Sequence, residues 1–265
     1  MTTEGSIALR WLALGAIAAS LLGACTAGGA DGSAGTGSQV APDEPTPPIE
    51  IPPVDGPYDW KVDPKTFVEG VHNPYFPLSP GTTLTYEGTS GGEREVVTVK
   101  VMPRTKEILG VRCVVVRDVV KIDGELAEFT LDWFAQDVDG NVWYFGERTA
   151  EYERGEVVSR EGAWEAGVDG ALPGVIMPAD PEVGLAYTQE HYRGEAEDKG
   201  KIVALGEQVT VPAGSFEDVL VTEDWTPLDP KVLERKYYAS GVGVVFEELV
   251  KGGNEALELV SIRRT

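Results

Sequence analysis

Cysteine is almost missing from this 265-residue chain, which has only Cys25 and Cys113. If Cys25 is committed elsewhere, as argued below, no intrachain disulfide can form. Cys113 lies in the apolar run GVRCVVVRDVV and reads as a small buried residue rather than a nucleophile. Histidine is equally scarce: His72 and His191 stand far apart, and no motif pairs either with other zinc ligands. Lysine and arginine total 22 against 44 aspartates and glutamates, for a net charge of −22. No run of the sequence clusters the basic residues, and this excludes a nucleic-acid partner, because phosphate backbones need such clusters. The same charge should repel anionic lipid headgroups and favour solubility, cations or basic partners. There is no G-x-S-x-G elbow, no P-loop and no G-x-G-x-x-G entering a helix, so the common catalytic templates do not apply. Long hydrophobic runs are missing too. The longest, residues 11–22, is too short to span a bilayer comfortably.

That run has the length of a signal-peptide core, with Arg10 ahead of it and LLGAC behind it. A leucine and two small residues before a cysteine match the bacterial lipobox, in which the chain is cut before the cysteine and the cysteine is lipidated. Residues 1–24 are therefore expected to be a lipoprotein signal peptide. Cys25 is expected to carry the lipid that anchors an exported, extracytoplasmic protein to an envelope membrane. Each buried CH₂ of the acyl chains adds roughly 0.8 kcal/mol to that anchoring. Residues 25–57 are rich first in Gly, Ser and Ala and then in Pro, the composition of a flexible and then stiffer tether. Residues 58–265 have the length of one domain with a real core.

Within that domain, turn signals recur at short spacing: TSGGERE, IDGEL, VDGNV, ERGEV, PAGSF and KGGNEA. Runs rich in Val, Thr, Tyr, Phe and Trp lie between them, such as VVTVKVM, EFTLDWFAQD and KYYASGVGVVFEEL. These are β-strands joined by tight turns. The expected fold is all-β: an antiparallel meander of about ten strands forming a barrel, a half-barrel or two packed sheets. The best helical stretch is a turn or two near PKVLERK, opened by Pro230.

The segment DWFAQDVDGNVWYFGE, residues 132–147, poses a question: do its acids hold a metal, or do they turn a hairpin? An EF-hand loop needs Gly at position 6 and a carboxylate at position 12. Counting from Asp137 puts Val142 and Arg148 there, and placing Gly140 at position 6 puts Gly146 at position 12. Both registers fail, whereas Asp-Gly-Asn between aromatic strands is a strong hairpin signal. A looser calcium site on Asp137, Asp139 and Asn141 stays open. So does one on the acidic stretch around His191, using Glu195, Glu197 and Asp198, because hard oxygen donors suit Ca²⁺. No other cofactor is expected. The strands on either side of the turn carry large side chains on both faces, so both faces need cover, or one lines a ligand cavity. Trp133, Trp143, Tyr144, Phe145 and Trp164 are the candidate lining.

The segments NPYFPLSPGTTLTYEG, DWFAQDVDGNVWYFGE, QEHYRGEAED, VTVPAGSFEDVLVTEDWTPL and KYYASGVGVVFE resemble a family of bacterial secreted and lipid-anchored envelope proteins of unassigned function. The resemblance covers residues 73–247 and implies an all-β envelope domain, without implying an activity. Three readings follow. The first is a non-enzymatic lipoprotein that binds an apolar ligand or an envelope protein and has no catalytic residue. The second is a calcium-stabilised surface domain. The third is a hydrolase of envelope glycans or peptides using carboxylates such as Glu147 and Glu165.

Overall fold

In the computed structural model, which describes residues 48–265, the turn signals close hairpins. Asp123-Gly124 and Arg154-Gly155 both take positive φ, the backbone that two-residue hairpin loops need to match strand twist. A further hairpin turns on Leu109-Gly110, at φ 50° and 79°. A leucine at that φ is sterically costly, so nothing in its own chemistry announces the turn.

Sixteen strands result: β1 (Phe67–Val68), β2 (Thr83–Ser90), β3 (Glu93–Ile108), β4 (Val111–Ile122), β5 (Glu125–Asp137), β6 (Val142–Glu153), β7 (Glu156–Ser159), β8 (Trp164–Glu165), β9 (Leu172–Met177), β10 (Ala186–Thr188), β11 (Glu190–His191), β12 (Lys199–Val211), β13 (Gly214–Trp225), β14 (Leu233–Ala239), β15 (Gly243–Lys251) and β16 (Ala256–Arg263). The expected antiparallel meander is what forms. The larger strand count comes from pieces of two to four residues, too short to carry a period-2 pattern. Pairing runs β10-β12-β13-β14-β15-β16-β2-β3-β4-β5-β6-β9-β11. The two ends of that order, β10 and β11, are separated only by Gln189, so the sheet curls into a nearly closed barrel. Closure brings backbones very near one another. A Cβ on Gly174 would sit 2.3 Å from the Gln189 carbonyl oxygen, and one on Gly146 2.3 Å from that of Trp164.

PKVLERK is not helical. Val232 N–H donates to the Asp229 carbonyl at 3.2 Å to close a tight turn, and the chain then enters β14. Pairing with β13 and β15 satisfies the backbone there, and period-2 alternation sends Lys236 to the barrel interior.

The two-sided aromatic strands are covered in two different ways. Phe134 and Tyr144 stack at 4.7 Å on the inner face. On the outer face, Trp60 stacks on Trp143 at 3.9 Å, and Phe67 meets Phe145 edge-on at 5.5 Å. The cover comes from the chain ahead of β2. Residues 49–57, expected to be tether, also lie on the barrel. Ile49 and Ile51 pack against the core, the Pro53 carbonyl accepts from the Thr188 hydroxyl, and the Val54 carbonyl accepts from Lys199 Nζ. Cys25 and the expected signal peptide lie outside the described residues. Among the described residues, no helix is long and apolar enough to cross a membrane.

Candidate functional site

The VDGNV turn is held by a single carboxylate. Asp137 Oδ1 accepts the backbone N–H groups of Asp139, Gly140 and Asn141 at 2.9–3.0 Å. Its Oδ2 accepts Asn141 Nδ2 and Trp143 Nε1, each at 2.8 Å. Both oxygens are thus satisfied by protein donors, and Asn141 Oδ1 is taken by the Ala179 N–H. Asp139 Oδ2 accepts the Ile49 N–H, which joins the turn to the N-terminal segment. Asp137→Ala should therefore unlatch the hairpin and lower unfolding free energy by about 3 kcal/mol, since it strands several buried donors. Chemical denaturation reads that loss directly.

The second acidic group is divided. The Glu197 carboxylate caps its own turn, accepting the Gly194 N–H at 2.7 Å. Asp198 belongs to the barrel interior, where burial pushes it up to about 7 against the pull of Lys236. Among the described residues, no group of three or more His, Cys, Asp or Glu is placed to hold a metal ion.

Strand register builds two features that the sequence does not show. The first is a belt of acids on the inner face. Asp132 pairs with Glu147 across β5 and β6, and the Tyr144 hydroxyl lies 2.8 Å from Asp132 Oδ1 and 3.0 Å from Glu147 Oε2. One hydroxyl proton cannot serve two carboxylates, so a carboxyl must hold a proton of its own. Burial pushes Asp132 up to about 7, and burial with the neighbouring Asp132 and Glu190 raises Glu147 well above its usual range. Glu190, fully buried, accepts Trp164 Nε1 at 3.2 Å and is raised by burial and by Asp198. Asp118, on β4, is raised by burial and by Asp132. Opposite stands Lys236, 5% exposed, with Nζ 3.0 Å from Glu234 Oε2 and 3.4 Å from Asp224 Oδ2. The lumen beside this belt is apolar, with Leu84, Tyr86, Val97 and Val244 around a gap of about 60 Å³. A gap of that size holds only a few water-sized groups.

The second feature is an outer cleft of about 580 Å³. Its floor is Val115, Leu131 and Trp133, and its walls are the bulged part of β3 at Arg104–Lys106, Arg148 on β6, and the segment from Ala163 to Val168. Lys106 Nζ lies 3.4 Å over the Trp133 ring and 2.6 Å from Glu165 Oε2. Of the expected ligand-lining residues, Trp133 and Trp164 border this cleft. Tyr144 belongs to the acid belt, and Trp143 and Phe145 lie beneath the N-terminal segment. Glu147 and Glu165 both border the cleft, but the Glu147 side chain is buried and turned to Tyr144. Arg104, Lys106 and Arg148 escaped the sequence reading, because they lie on separate strands with no shared motif. Cys113 is buried beside Lys106 and Glu165, and burial raises its thiol pKa, as an unreactive core cysteine requires.

No protein-family model and no curated protein matches the chain. Among solved structures it is similar to a Bacteroides fragilis protein described as exported with a YMCC-like fold, at 16% identity over 72% of this chain and 99% of that one, with a TM-score of 0.40. It is also similar to a Parabacteroides distasonis protein described as a lipoprotein, at 16% identity over the same shares, with a TM-score of 0.34.

Proposed function

We propose that this chain is an exported, lipid-anchored envelope protein that binds an amphipathic anion in its outer cleft. One observation carries the reading: an apolar floor of Val115, Leu131 and Trp133 lies beneath Arg104, Lys106 and Arg148, in a cleft of about 580 Å³. Ligand sites of roughly 300–1,000 Å³ with an apolar lining and a few placed charges are the usual pattern. Lys106 is partly neutralised by Glu165, so Arg104 and Arg148 are the free anchors for an acidic headgroup. The luminal gap is too small for the apolar ligand expected from the sequence, so the outer cleft takes that role. The lipobox supplies the anchor at Cys25.

The test uses the full chain purified from detergent-solubilised membranes, with decanoate and decanol as matched probes. Decanoate should bind saturably and decanol should bind far more weakly. Replacing both Arg104 and Arg148 with alanine should weaken decanoate binding by ten- to a hundredfold, because a charged hydrogen bond contributes about 1.5–3 kcal/mol. Equal binding of the acid and the alcohol, or an indifferent double variant, would overturn the assignment.

A further inference from the structure

Cations that are scattered along the sequence meet in one row on the outside of the barrel. Reading register partners across six strands, Arg263 pairs with Thr83, Thr83 with Lys100, Lys100 with Arg117, Arg117 with Leu131, and Leu131 with Arg148. Paired residues in a sheet share a face, so all six side chains emerge on the same side, opposite Asp118 and Asp132. Adjacent strands lie about 4.8 Å apart, so the row is about 24 Å long.

Four of its six members are basic and none is acidic. Five cations elsewhere are held by acids, Arg94 by Glu87, Lys106 by Glu165, Arg112 by Glu69, Arg235 by Glu223, and Lys236 by Glu234 and Asp224, while others such as Lys61, Lys65 and Lys121 stand singly rather than in a row. In the row, no described carboxylate lies within ion-pair distance of Lys100, Arg117, Arg148 or Arg263. Arg148 and Arg263 are exposed, and Arg117 is half-buried with its Nε sealed from solvent and unpartnered. In a protein of net charge −22, an unpaired row of this kind is a local reversal of the field. The inner-face acids do little to cancel it, because burial favours their neutral forms.

The surroundings decide the shape of the partner. The neighbouring row, from Ser261 through Thr98 and Phe129 to Ala150, carries no charge. The row beyond begins with the acids Glu258 and Glu87 and runs on through Val96 to a single lysine, Lys121. On the other side the row opens onto the cleft, at Leu131 and Arg148. A flat anionic membrane would press on Glu258 and Glu87 as well as on the row. A narrow strip, bounded on one side by neutral and then acidic residues and on the other by the cleft with Arg104 and Lys106, fits a chain rather than a plane.

We propose that this row is a track for a linear polyanion, a polymer bearing regularly repeated phosphate, carboxylate or sulfate groups, laid across β16, β2, β3, β4, β5 and β6. The charges fall at the first, third, fourth and sixth strand positions, so several repeats of one chain can be held together. A monomeric anion meets only one or two of them. The track goes beyond the cleft reading and shares Leu131 and, among its cations, only Arg148 with it.

The experiment measures binding of labelled polyphosphate, polygalacturonate and heparin to the detergent-solubilised full chain over a salt series, with dextran and monomeric galacturonate as controls. At least one polyanion should bind, with the dextran and the monomer weaker by tenfold or more. The affinity should fall with salt at a log–log slope near −3, as about four released counterions imply. The preferred polymer tells phosphate, carboxylate and sulfate chemistry apart. The Lys100→Gln/Arg117→Gln/Arg263→Gln variant should lose polymer binding at least tenfold and flatten the slope to about −1, while decanoate binding stays unchanged. A matched control, Lys61→Gln/Lys65→Gln/Lys121→Gln, removes the same charge away from the row and should bind polymer almost normally. Equal losses in the two variants, or no binding of any polyanion, would overturn the track. A separate arm places the lipid-anchored chain in nanodiscs of anionic lipid. Protection of Lys100 from an amine reagent there, without polymer, would give the row to the membrane and overturn the proposal.

Discussion

Raising the pH from 5 to 8.5 should lower the unfolding temperature of this acidic protein by many degrees. Asp118, Asp132, Glu147, Glu190 and Asp198 all have folded-state pKa values above the ordinary carboxylate range, chiefly through burial. In the unfolded chain such groups titrate near pH 4. Between about pH 4 and 8 the folded state therefore holds more protons than the unfolded state, and stability must fall as pH rises. Asp132 alone, raised from 3.8 to about 7, accounts for an upper bound of roughly 4 kcal/mol across that window. Shared protons within the Asp132–Tyr144–Glu147 cluster make the total less than a sum over groups. Calorimetry at several pH values reads the slope. The Asp132→Asn/Glu147→Gln variant should flatten it and be the more stable form at pH 8.5. A melting temperature that rises with pH would show that the belt is ionised in the folded state.

Replacing Lys236 with methionine should cost about 3–5 kcal/mol, the range for removing one partner of a buried ion pair. Burial alone would lower the pKa of this lysine, but Glu234, Asp224 and Glu247 outweigh burial and hold it well above the usual value, so it stays charged. Without it, Glu234 and Asp224 lose their only close cation among the described residues. Glu247 and Asp198 lose its attraction as well. The loss should be small at pH 5, where Glu234, Glu247 and Asp198, all raised by burial, can take up protons, and large at pH 8. Denaturant titrations of the wild type and the methionine variant at the two pH values separate this from a simple packing defect, which would be the same at both. Pairing the change with Glu234→Gln should recover part of the loss at pH 8.

How much of this was legible in advance follows from the reach of each signal. Hairpin turns are local: Asp123-Gly124 and Arg154-Gly155 declare themselves in two residues. Asp137 was legible as a turn residue, although its grip on five donors was not. The bulges in β3 and between β5 and β6 were silent, because no composition rule marks where a ladder slips. Those slips bring Arg104–Lys106 to the cleft and send Tyr144 inward to the carboxyls. The strand at PKVLERK defeated a local helix reading, because pairing with β13 and β15 outweighed propensity.

The sequence by itself determined the β-meander and most of the places where it turns, Leu109-Gly110 excepted; the address expected at LLGAC lies outside the described residues. Period-2 patterning and turn chemistry act over a few neighbours, and a reader of neighbours can recover them. Only the tertiary structure decided which acids face the lumen and which cations form the row. Lys100, Arg117, Arg148 and Arg263 are up to 163 residues apart in the chain and come together through register. Register is a property of strand pairs, and a shift of one residue would exchange the inner and outer faces.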